Sequence, residues 1–308
     1  MKRASGDTTT AAIDIQHLSK HYAGATDRAL DDLTLQVYPG EVYGFLGPNG
    51  AGKSTTIRLL LNFIQPSTGT AQIRGYDVVT DSEKVRSSIG YLAGDVPVYP
   101  KMTGRRYLHY LATLQGQNCH KAIGDLSDRL DADLDIHLGD LSRGNRQKIG
   151  IIQTFMHQPR IYILDEPTTG LDPIMQEVFY DLVYEARKSG AAVFLSSHIL
   201  GEVQKLCDRI GIIRQGRLVQ EKTISDLLGD AAQTFVISFA GPAPVAELRH
   251  VTGTRILEHH GNHITVQVKG PLVQLLKALS HHDVKTLHSS NLELEADFLQ
   301  LYEGEVNP

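Results

Sequence analysis

The glycine-rich segment GPNGAGKST, residues 47–55, constrains the fold of this 308-residue chain more than any other feature. It matches the pattern GxxxxGK[ST] in full, and it lies between an apolar run, residues 41–46, and a stretch with helical periodicity. In a strand–loop–helix arrangement of this kind, consecutive backbone N–H groups and the positive end of a helix converge on phosphate oxygens. The sequence therefore predicts an α/β fold that binds the phosphates of a nucleotide.

The residues of this loop have distinct predicted roles. The glycines leave room for the backbone to approach the phosphates, which side chains would otherwise crowd. Lys53 supplies a mobile positive charge for the β- and γ-phosphates, and the Ser54 hydroxyl is a hard oxygen ligand for Mg²⁺. The residues predicted to contact the nucleotide through the loop are Asn49, Gly50, Ala51, Gly52, Lys53, Ser54 and Thr55.

A pair of acids forms the predicted second half of the site. Residues 161–164 are a continuous apolar run, typical of a strand covered on both faces, and Asp165 and Glu166 follow it directly. Asp165 is suited to hold Mg²⁺ through water, and Glu166 to polarise the attacking water, because phosphoryl transfer depends on positioning and charge neutralisation. The alternative is a solvated Asp-Glu pair that only ends a strand.

The pattern of apolar residues divides the chain into regions. Residues 1–11 are predicted to be a disordered tail, and residues 12–229 a nucleotide-binding domain that starts with two antiparallel strands and contains a mainly helical subdomain at about 95–158. Three helices are predicted in this subdomain: Thr103 can cap the first, whose Tyr107, Leu108 and Leu114 share one face, and Ser142 starts the third. Residues 230–308 change in character and predict a small accessory α+β domain, with a last helix over 292–302.

Charge and hydropathy exclude some classes of protein. The chain has 30 Lys and Arg against 35 Asp and Glu, a formal net charge of −5, so it lacks the basic character of a nucleic-acid-binding domain. No apolar run approaches the roughly 18 residues of a spanning helix, so we expect that this chain does not cross a membrane by itself.

Further motifs resemble the nucleotide-binding subunits of ABC transporters. LSRGN at 141–145 resembles the ABC signature, ILDEPTTGLDP runs from the acids into a D-loop containing Asp172, and His198 follows a buried strand where the family has its switch histidine. Tyr22 stands where the family has an aromatic residue that stacks on adenine. The resemblance covers roughly residues 11–228 and identifies the chain as similar to the bacterial exporter-type branch, which includes drug and antibiotic efflux ATPases.

The resemblance implies a fold, an assembly and a set of roles. The fold is the P-loop NTPase fold of the ABC ATPase type, with a mixed sheet core. The assembly is a head-to-tail dimer, a homodimer or a heterodimer, in which two ATP molecules lie between one subunit's glycine-rich loop and the other subunit's signature. In this arrangement Glu166 and His198 are catalytic and Asp172 reaches the opposite subunit. The signature residues that contact the partner's ATP are Ser142, Arg143, Gly144 and Asn145.

The sequence departs from the family pattern at two places. The signature has Arg143-Gly144 instead of Gly-Gly, and the expected Q-loop glutamine is replaced by Gly94, with Asp95 next to it. One hypothesis is that Asp95 or an extra water replaces the missing amide as a contact for Mg²⁺ and water. The alternative is a plain turn that only contacts a membrane partner.

The expected function is that of the ATP-hydrolysing subunit of an ABC transporter that powers export through a separate membrane permease, with ATP and Mg²⁺ as its cofactors. The resemblance also implies a cytoplasmic protein held at the inner face of the membrane by that permease, docked through the helical subdomain and residues 94–102. The alternative is a soluble ABC ATPase acting on ribosomes or DNA. A protein that senses ATP without hydrolysing it is disfavoured by Glu166 and His198.

Histidines accumulate near the C-terminus. Seven of the fourteen lie after residue 249, including His259-His260, His263 and His281-His282. Either they are ordinary surface histidines, or some of them form a metal or pH-sensing site.

Overall fold

The computed structural model describes residues 10–24, 28–96, 99–230 and 233–290. The chain forms two compact units, Met1–Lys222 and Thr223–Pro308. The boundary predicted from the sequence, after residue 229, lies further along the chain. The short helix Ile224–Asp230 therefore belongs to the second unit, although most of it was predicted to belong to the first. Most of the predicted N-terminal tail and the predicted last helix lie outside the described residues.

The first unit alternates strands and helices. Its strands are β1 (Ile13–Lys20), β2 (Leu30–Val37), β3 (Val42–Leu46), β4 (Thr68–Ile73), β5 (Tyr76–Asp77), β6 (Ile89–Leu92), β7 (Ile161–Asp165), β8 (Ala192–Ser197), β9 (Arg209–Arg214) and β10 (Arg217–Thr223). Its helices are α1 (Lys53–Leu60), α2 (Ser82–Ser87), α3 (Gly104–Leu114), α4 (His120–Arg129), α5 (Arg143–Phe155), α6 (Pro173–Lys188) and α7 (Leu200–Leu206).

A six-stranded sheet in the order β10-β9-β3-β8-β7-β6 forms the centre of this unit. The pairs from β9 to β6 are parallel, and β10 returns beside β9 through a two-residue turn at Gln215-Gly216, where both residues have a positive φ. Every residue of β3, β7 and β8 is buried, as their continuous apolar sequences predict. Because these three strands are parallel neighbours, their carboxyl ends meet at one edge of the sheet.

A second sheet, with the order β2-β1-β4-β5, is antiparallel. It shares one hydrophobic core with α1 and the parallel sheet, formed by residues such as Ile13, Leu33, Phe45, Ile57 and Phe194. The first two strands were predicted, whereas β4 and β5 were not. The sequence of β4, TGTAQI, buries only Ala71 and Ile73, so its hydrophobic pattern is weak.

The helical region contains the three predicted helices α3, α4 and α5. Two of them begin at predicted caps: Thr103 Oγ1 accepts a hydrogen bond from the Arg106 N–H at 3.4 Å, and Ser142 Oγ accepts one from the Asn145 N–H at 3.3 Å. Leu114 was expected on the buried face of α3 with Tyr107 and Leu108. Instead it is 65% exposed, because it is the last residue of the helix and lies beyond the packed turns.

The second unit is α+β, as predicted. Its elements are α8 (Ile224–Asp230), β11 (Gln233–Phe239), α9 (Val245–Leu248), β12 (Thr254–His260), β13 (His263–Val268), α10 (Val273–Leu279) and β14 (Val284–Ser290). The strands form an antiparallel sheet in the order β12-β13-β11-β14. One face of the sheet packs Phe235, Ile237, Ile264 and Val266 against Leu248 and Leu275 of the two following helices.

Within the described part of the chain, no helix combines the length and the apolar character that a membrane span requires. In the same residues, no three or more His, Cys, Asp or Glu side chains come together in a way that could hold a metal ion. The histidine-rich region therefore gives no metal cluster among the residues described.

Candidate active site

Three loops meet at the carboxyl edge of the parallel sheet. The glycine-rich loop follows β3, Asp165 and Glu166 lie at the end of β7, and His198 follows β8. These strands are adjacent in the order β3-β8-β7, with Leu46 paired with Ser197 and Asp165 paired with Ser196. Sheet order therefore brings together residues that are more than a hundred positions apart in sequence.

The glycine-rich loop adopts a backbone that its glycines permit. Gly50 and Gly52 have φ values of 82° and 114°, in the region that side chains disfavour. A Cβ atom on Gly52 would also lie 2.8 Å from the carbonyl oxygen of Ala29. The loop lines a cavity of about 190 Å³ whose walls are Ala29, Pro48, Asn49, Gly50, Gly52, Lys53, Ser54, Thr55 and Glu166. The predicted loop residues other than Ala51 line this cavity.

Lys53 is the buried cation of the site. Its side chain is 6% exposed, and its Nζ donates hydrogen bonds to the carbonyl oxygens of Gly47 at 2.6 Å and Pro48 at 3.2 Å. The same Nζ lies 3.3 Å from Glu166 Oε1. The first residue of α1 thus holds a positive charge between the glycine-rich loop and a carboxylate.

Asp165 is held by hydroxyl groups from two elements. Its Oδ1 accepts a hydrogen bond from Ser196 Oγ at 2.6 Å, and its Oδ2 accepts one from Ser54 Oγ at 3.2 Å. Ser196 was not predicted; its sequence signal was a hydroxyl at the end of the strand that pairs with β7. The Ser54 hydroxyl and the Asp165 carboxylate are adjacent hard oxygen donors, which fits the ligand preference of Mg²⁺.

Glu166 lies between two basic groups. Its Oε2 is 2.5 Å from His198 Nδ1, while its Oε1 faces Lys53. Its backbone has φ 49°, a left-handed conformation that is uncommon for a residue with a side chain, and its N–H donates to the carbonyl oxygen of Ser196 at 3.1 Å. The structure thus brings both predicted catalytic residues into direct contact.

A larger cavity of about 470 Å³ joins these groups to the Q-loop position. It is lined by Asn49, Ser54, Arg58, Tyr91, Ala93, Gly94, Asp95, Arg143, Asp165, Glu166, Thr169 and His198. Gly94 and Asp95 therefore share a cavity with both predicted acids. Arg58 and Tyr91 were not predicted; burial, together with the nearby Asp165 charge, raises the pKa of Tyr91 to about 12.

The signature helix packs against the loop between Glu166 and Asp172. A Cβ atom on Gly144 would lie 2.5 Å from the carbonyl oxygen of Gly170, so this glycine allows a close backbone approach. Nearby, the buried Gln147 Nε2 donates to the carbonyl oxygen of Pro167 at 2.7 Å. Asp172 caps α6, where its Oδ1 accepts a hydrogen bond from the Met175 N–H at 2.9 Å.

Tyr22 is a partly exposed aromatic residue next to Lys20. Its side chain is 37% exposed, and Lys20 Nζ lies 5.3 Å from the centre of its ring. Neither of the two cavities described above is lined by Tyr22.

Comparison with known proteins identifies the family. A family model described as "ABC transporter" matches residues 30–169. The ABC transporter ATP-binding protein NatA of Bacillus subtilis is 35% identical over 206 residues, which cover 65% of this chain and 84% of NatA. The chain belongs to the ABC transporter ATP-binding proteins. This confirms the resemblance found in the sequence motifs.

Two further comparisons agree with this assignment. The daunorubicin/doxorubicin resistance ATP-binding protein DrrA of Streptomyces peucetius is 38% identical over 230 residues, covering 71% of this chain and 67% of DrrA. A solved structure described as the ATP binding subunit of an ABC transporter superposes with a TM-score of 0.66 at 30% identity, covering 71% of this chain and 92% of that one. The predicted fold, the P-loop NTPase fold of the ABC ATPase type, is confirmed.

As an ABC transporter ATP-binding protein, the chain is the ATP-binding and ATP-hydrolysing subunit of a transport system that works with a membrane permease. The geometry of the sheet edge suits this activity. Two cavities that share Asn49, Ser54 and Glu166 are lined by the glycine-rich loop, Lys53, the two acids and His198. Phosphoryl transfer needs such groups mainly for positioning and charge neutralisation.

Proposed function

We propose that this ABC subunit drives export through a separate permease and hydrolyses ATP where the ends of β3, β8 and β7 meet. The observation that carries the proposal is the 2.5 Å contact between Glu166 Oε2 and His198 Nδ1, beside the glycine-rich loop. The similarity to a protein named for drug resistance supports export as the direction of transport. In this proposal the chain is cytoplasmic and is held at the inner face of the membrane by the permease.

Glu166 and His198 act on the attacking water in the proposed reaction. Glu166 accepts a hydrogen bond from the water and takes up its proton as the water oxygen bonds to the γ-phosphorus. The bond from the γ-phosphorus to the bridging oxygen breaks, and ADP leaves with the electron pair. His198, held by its contact with Glu166 through Nδ1, contacts the γ-phosphate and the attacking water through its other ring nitrogen.

Lys53, Ser54 and Asp165 neutralise and orient the triphosphate in this scheme. Lys53 Nζ contacts the β- and γ-phosphate oxygens. The residues that would hold Mg²⁺ are Ser54, directly, and Asp165, through water, and the ion would neutralise charge on the same oxygens. Ser196 keeps the Asp165 carboxylate oriented through the 2.6 Å hydrogen bond. We further propose that Tyr22 stacks on the adenine ring.

We also propose a head-to-tail dimer, as a homodimer or a heterodimer, with the signature residues Ser142 to Asn145 contacting ATP bound by the partner. Ser142 is exposed at the N-terminus of α5, where unpaired backbone N–H groups attract an anion. Asp172 is also exposed, at the start of α6, and would contact the partner. Arg143 lines the 470 Å³ cavity of its own chain as well, a position that the dimer does not require.

For the Q-loop position, we propose that Asp95 contributes to the contacts of Mg²⁺ and water. Replacing Asp95 with alanine should lower kcat about 10-fold and raise the Mg²⁺ concentration needed for half-maximal activity, because a carboxylate next to the metal shell is lost. Steady-state ATPase assays across a Mg²⁺ titration measure both effects. The exposed Asp181 of α6 provides the control, Asp181→Ala. An Asp95→Ala enzyme with unchanged kcat and Mg²⁺ dependence would show that this segment is only a turn.

Purification of the tagged chain tests the proposed role in transport. From detergent-solubilised membranes, we expect it to be recovered with an integral membrane protein in a fixed ratio. Recovery with ribosomes or DNA and without a membrane protein would contradict the proposal and favour a soluble ABC ATPase.

A further inference from the structure

A buried carboxyl group lies directly behind the proposed catalytic pair. Glu202, on α7, is 4% exposed, and its Oε2 accepts a hydrogen bond from the fully buried Ser197 Oγ at 2.5 Å. Burying a carboxyl group is unfavourable unless its environment compensates for the lost hydration. The proposed hydrolysis scheme gives Glu202 no role, so its position needs another explanation.

The Ser197 hydroxyl connects Glu202 to the turn that carries His198. While it donates to Glu202, it also accepts a hydrogen bond from the Ile199 N–H at 3.0 Å. The carbonyl oxygen of Ser197 accepts a hydrogen bond from the Gly47 N–H at 3.3 Å, at the start of the glycine-rich loop. The backbone on both sides of His198 is thus fixed by Ser197.

His198 itself is exposed, so little packing holds its ring in place. Its side chain is 46% exposed, and its ring contacts Glu166 Oε2 through Nδ1. The direction of the ring therefore depends strongly on the backbone of the turn. A small rotation of this turn would move Nδ1 out of hydrogen-bonding distance from Glu166.

The environment of Glu202 also connects it to the loop that follows Glu166. Burial raises the pKa of Glu202, while hydroxyl groups of Ser197 and Thr168, the latter in that loop, act in the opposite direction. The carboxyl group thus faces both loops that supply the proposed catalytic pair.

We infer that Glu202 is a positioning residue for ATP hydrolysis: by holding the Ser197 hydroxyl, it fixes the turn that sets His198 against Glu166. The inference rests on the roles proposed above for Glu166 and His198. A purely structural alternative is that Glu202 only anchors α7, in which case its effects would not depend on His198.

A double-mutant cycle with His198 separates these possibilities. We expect Glu202→Ala and Ser197→Ala each to lower kcat about 10- to 100-fold with KM for ATP changed less than about two-fold, since displaced catalytic groups slow the reaction while ATP is still bound. Glu202→Gln should recover most of kcat, because its amide oxygen can still accept the Ser197 hydrogen bond. In a His198→Ala background, Glu202→Ala should change kcat less than about two-fold, because the residue it positions is absent.

A control variant and measurements of thermal unfolding distinguish an effect on kcat from a loss of stability. Glu177 is an exposed acid that pairs with Lys205 on α7, and Glu177→Ala should leave kcat unchanged. Thermal unfolding is measured for every variant, and Ser197→Ala, which removes a single oxygen atom, serves if Glu202→Ala does not fold.

Two results would overturn the inference: an unchanged kcat in both Glu202→Ala and Ser197→Ala, or an equal loss from Glu202→Ala with and without His198. Failure of the proposed function looks different, since Glu166→Gln would then hydrolyse ATP at the wild-type rate. If Glu166→Gln is inactive and either overturning result is found, the positioning role alone is wrong.

Discussion

Glu166→Gln should slow ATP hydrolysis about 100- to 1,000-fold while leaving ATP binding intact. The amide keeps the size and shape of the side chain, but it cannot take up a proton from water and it removes the negative charge 3.3 Å from Lys53 Nζ. Because ATP bound by this variant persists, it should also hold two subunits together. Phosphate-release assays measure turnover, and light scattering after size-exclusion chromatography measures the mass with and without ATP and Mg²⁺.

The matched control is Glu177→Gln, the same substitution at an exposed position of α6. It should hydrolyse ATP at the wild-type rate and show no ATP-dependent increase in mass beyond that of the wild type. If Glu166→Gln saturated with ATP stays a single chain in solution and also beside its permease, the proposed dimer is wrong. If it hydrolyses ATP normally, Glu166 is not the catalytic acid–base residue.

Gly144→Ala is the second substitution with a large expected effect. The new Cβ would lie 2.5 Å from the carbonyl oxygen of Gly170, so the start of α5 or the loop before Asp172 must move. We expect turnover to fall about 10- to 100-fold, because the displaced signature can no longer meet the partner's ATP. The affinity of the isolated chain for ATP should be nearly unchanged, because Gly144 does not line the cavity of the glycine-rich loop.

Gly124→Ala is the control for this substitution. Gly124 lies within α4, and a Cβ atom there would have no neighbour within 4 Å. Since alanine is favoured over glycine in a helix, this variant should keep full activity and gain about 0.5–1 kcal/mol of stability, measured by denaturant unfolding. Wild-type turnover by Gly144→Ala would show that the close approach to Gly170 is not needed for function.

The sequence could predict that Lys53, Asp165 and His198 lie at one edge of the sheet. Lys53, Asp165 and His198 each follow an apolar run typical of a buried parallel strand, and in a parallel sheet such ends meet at one edge. The roles of Ser196 and Ser197 could not be predicted in this way. Which hydroxyl faces which carboxylate depends on the pairing of β8 with β7, and composition does not encode that register.

Two other features were missed for different physical reasons. The strands β12 and β14 are largely exposed, so they lack the alternation of apolar and polar residues that marks a half-buried strand. The contact between Gly144 and Gly170 joins two loops through backbone atoms. A glycine in the sequence indicates freedom of the backbone, but it does not indicate which carbonyl oxygen approaches it.

The last two residues of β8 and the residue that follows them contact three different carboxyl groups: Ser196 contacts Asp165, Ser197 contacts Glu202 and His198 contacts Glu166. Adjacent side chains of a strand point to opposite faces. An insertion or deletion of one residue within β8 would therefore disrupt all three of these contacts at once. Insertions and deletions of residues can therefore accumulate at exposed turns such as Gln117–Asn118. A single insertion or deletion within β8 would instead abolish the activity.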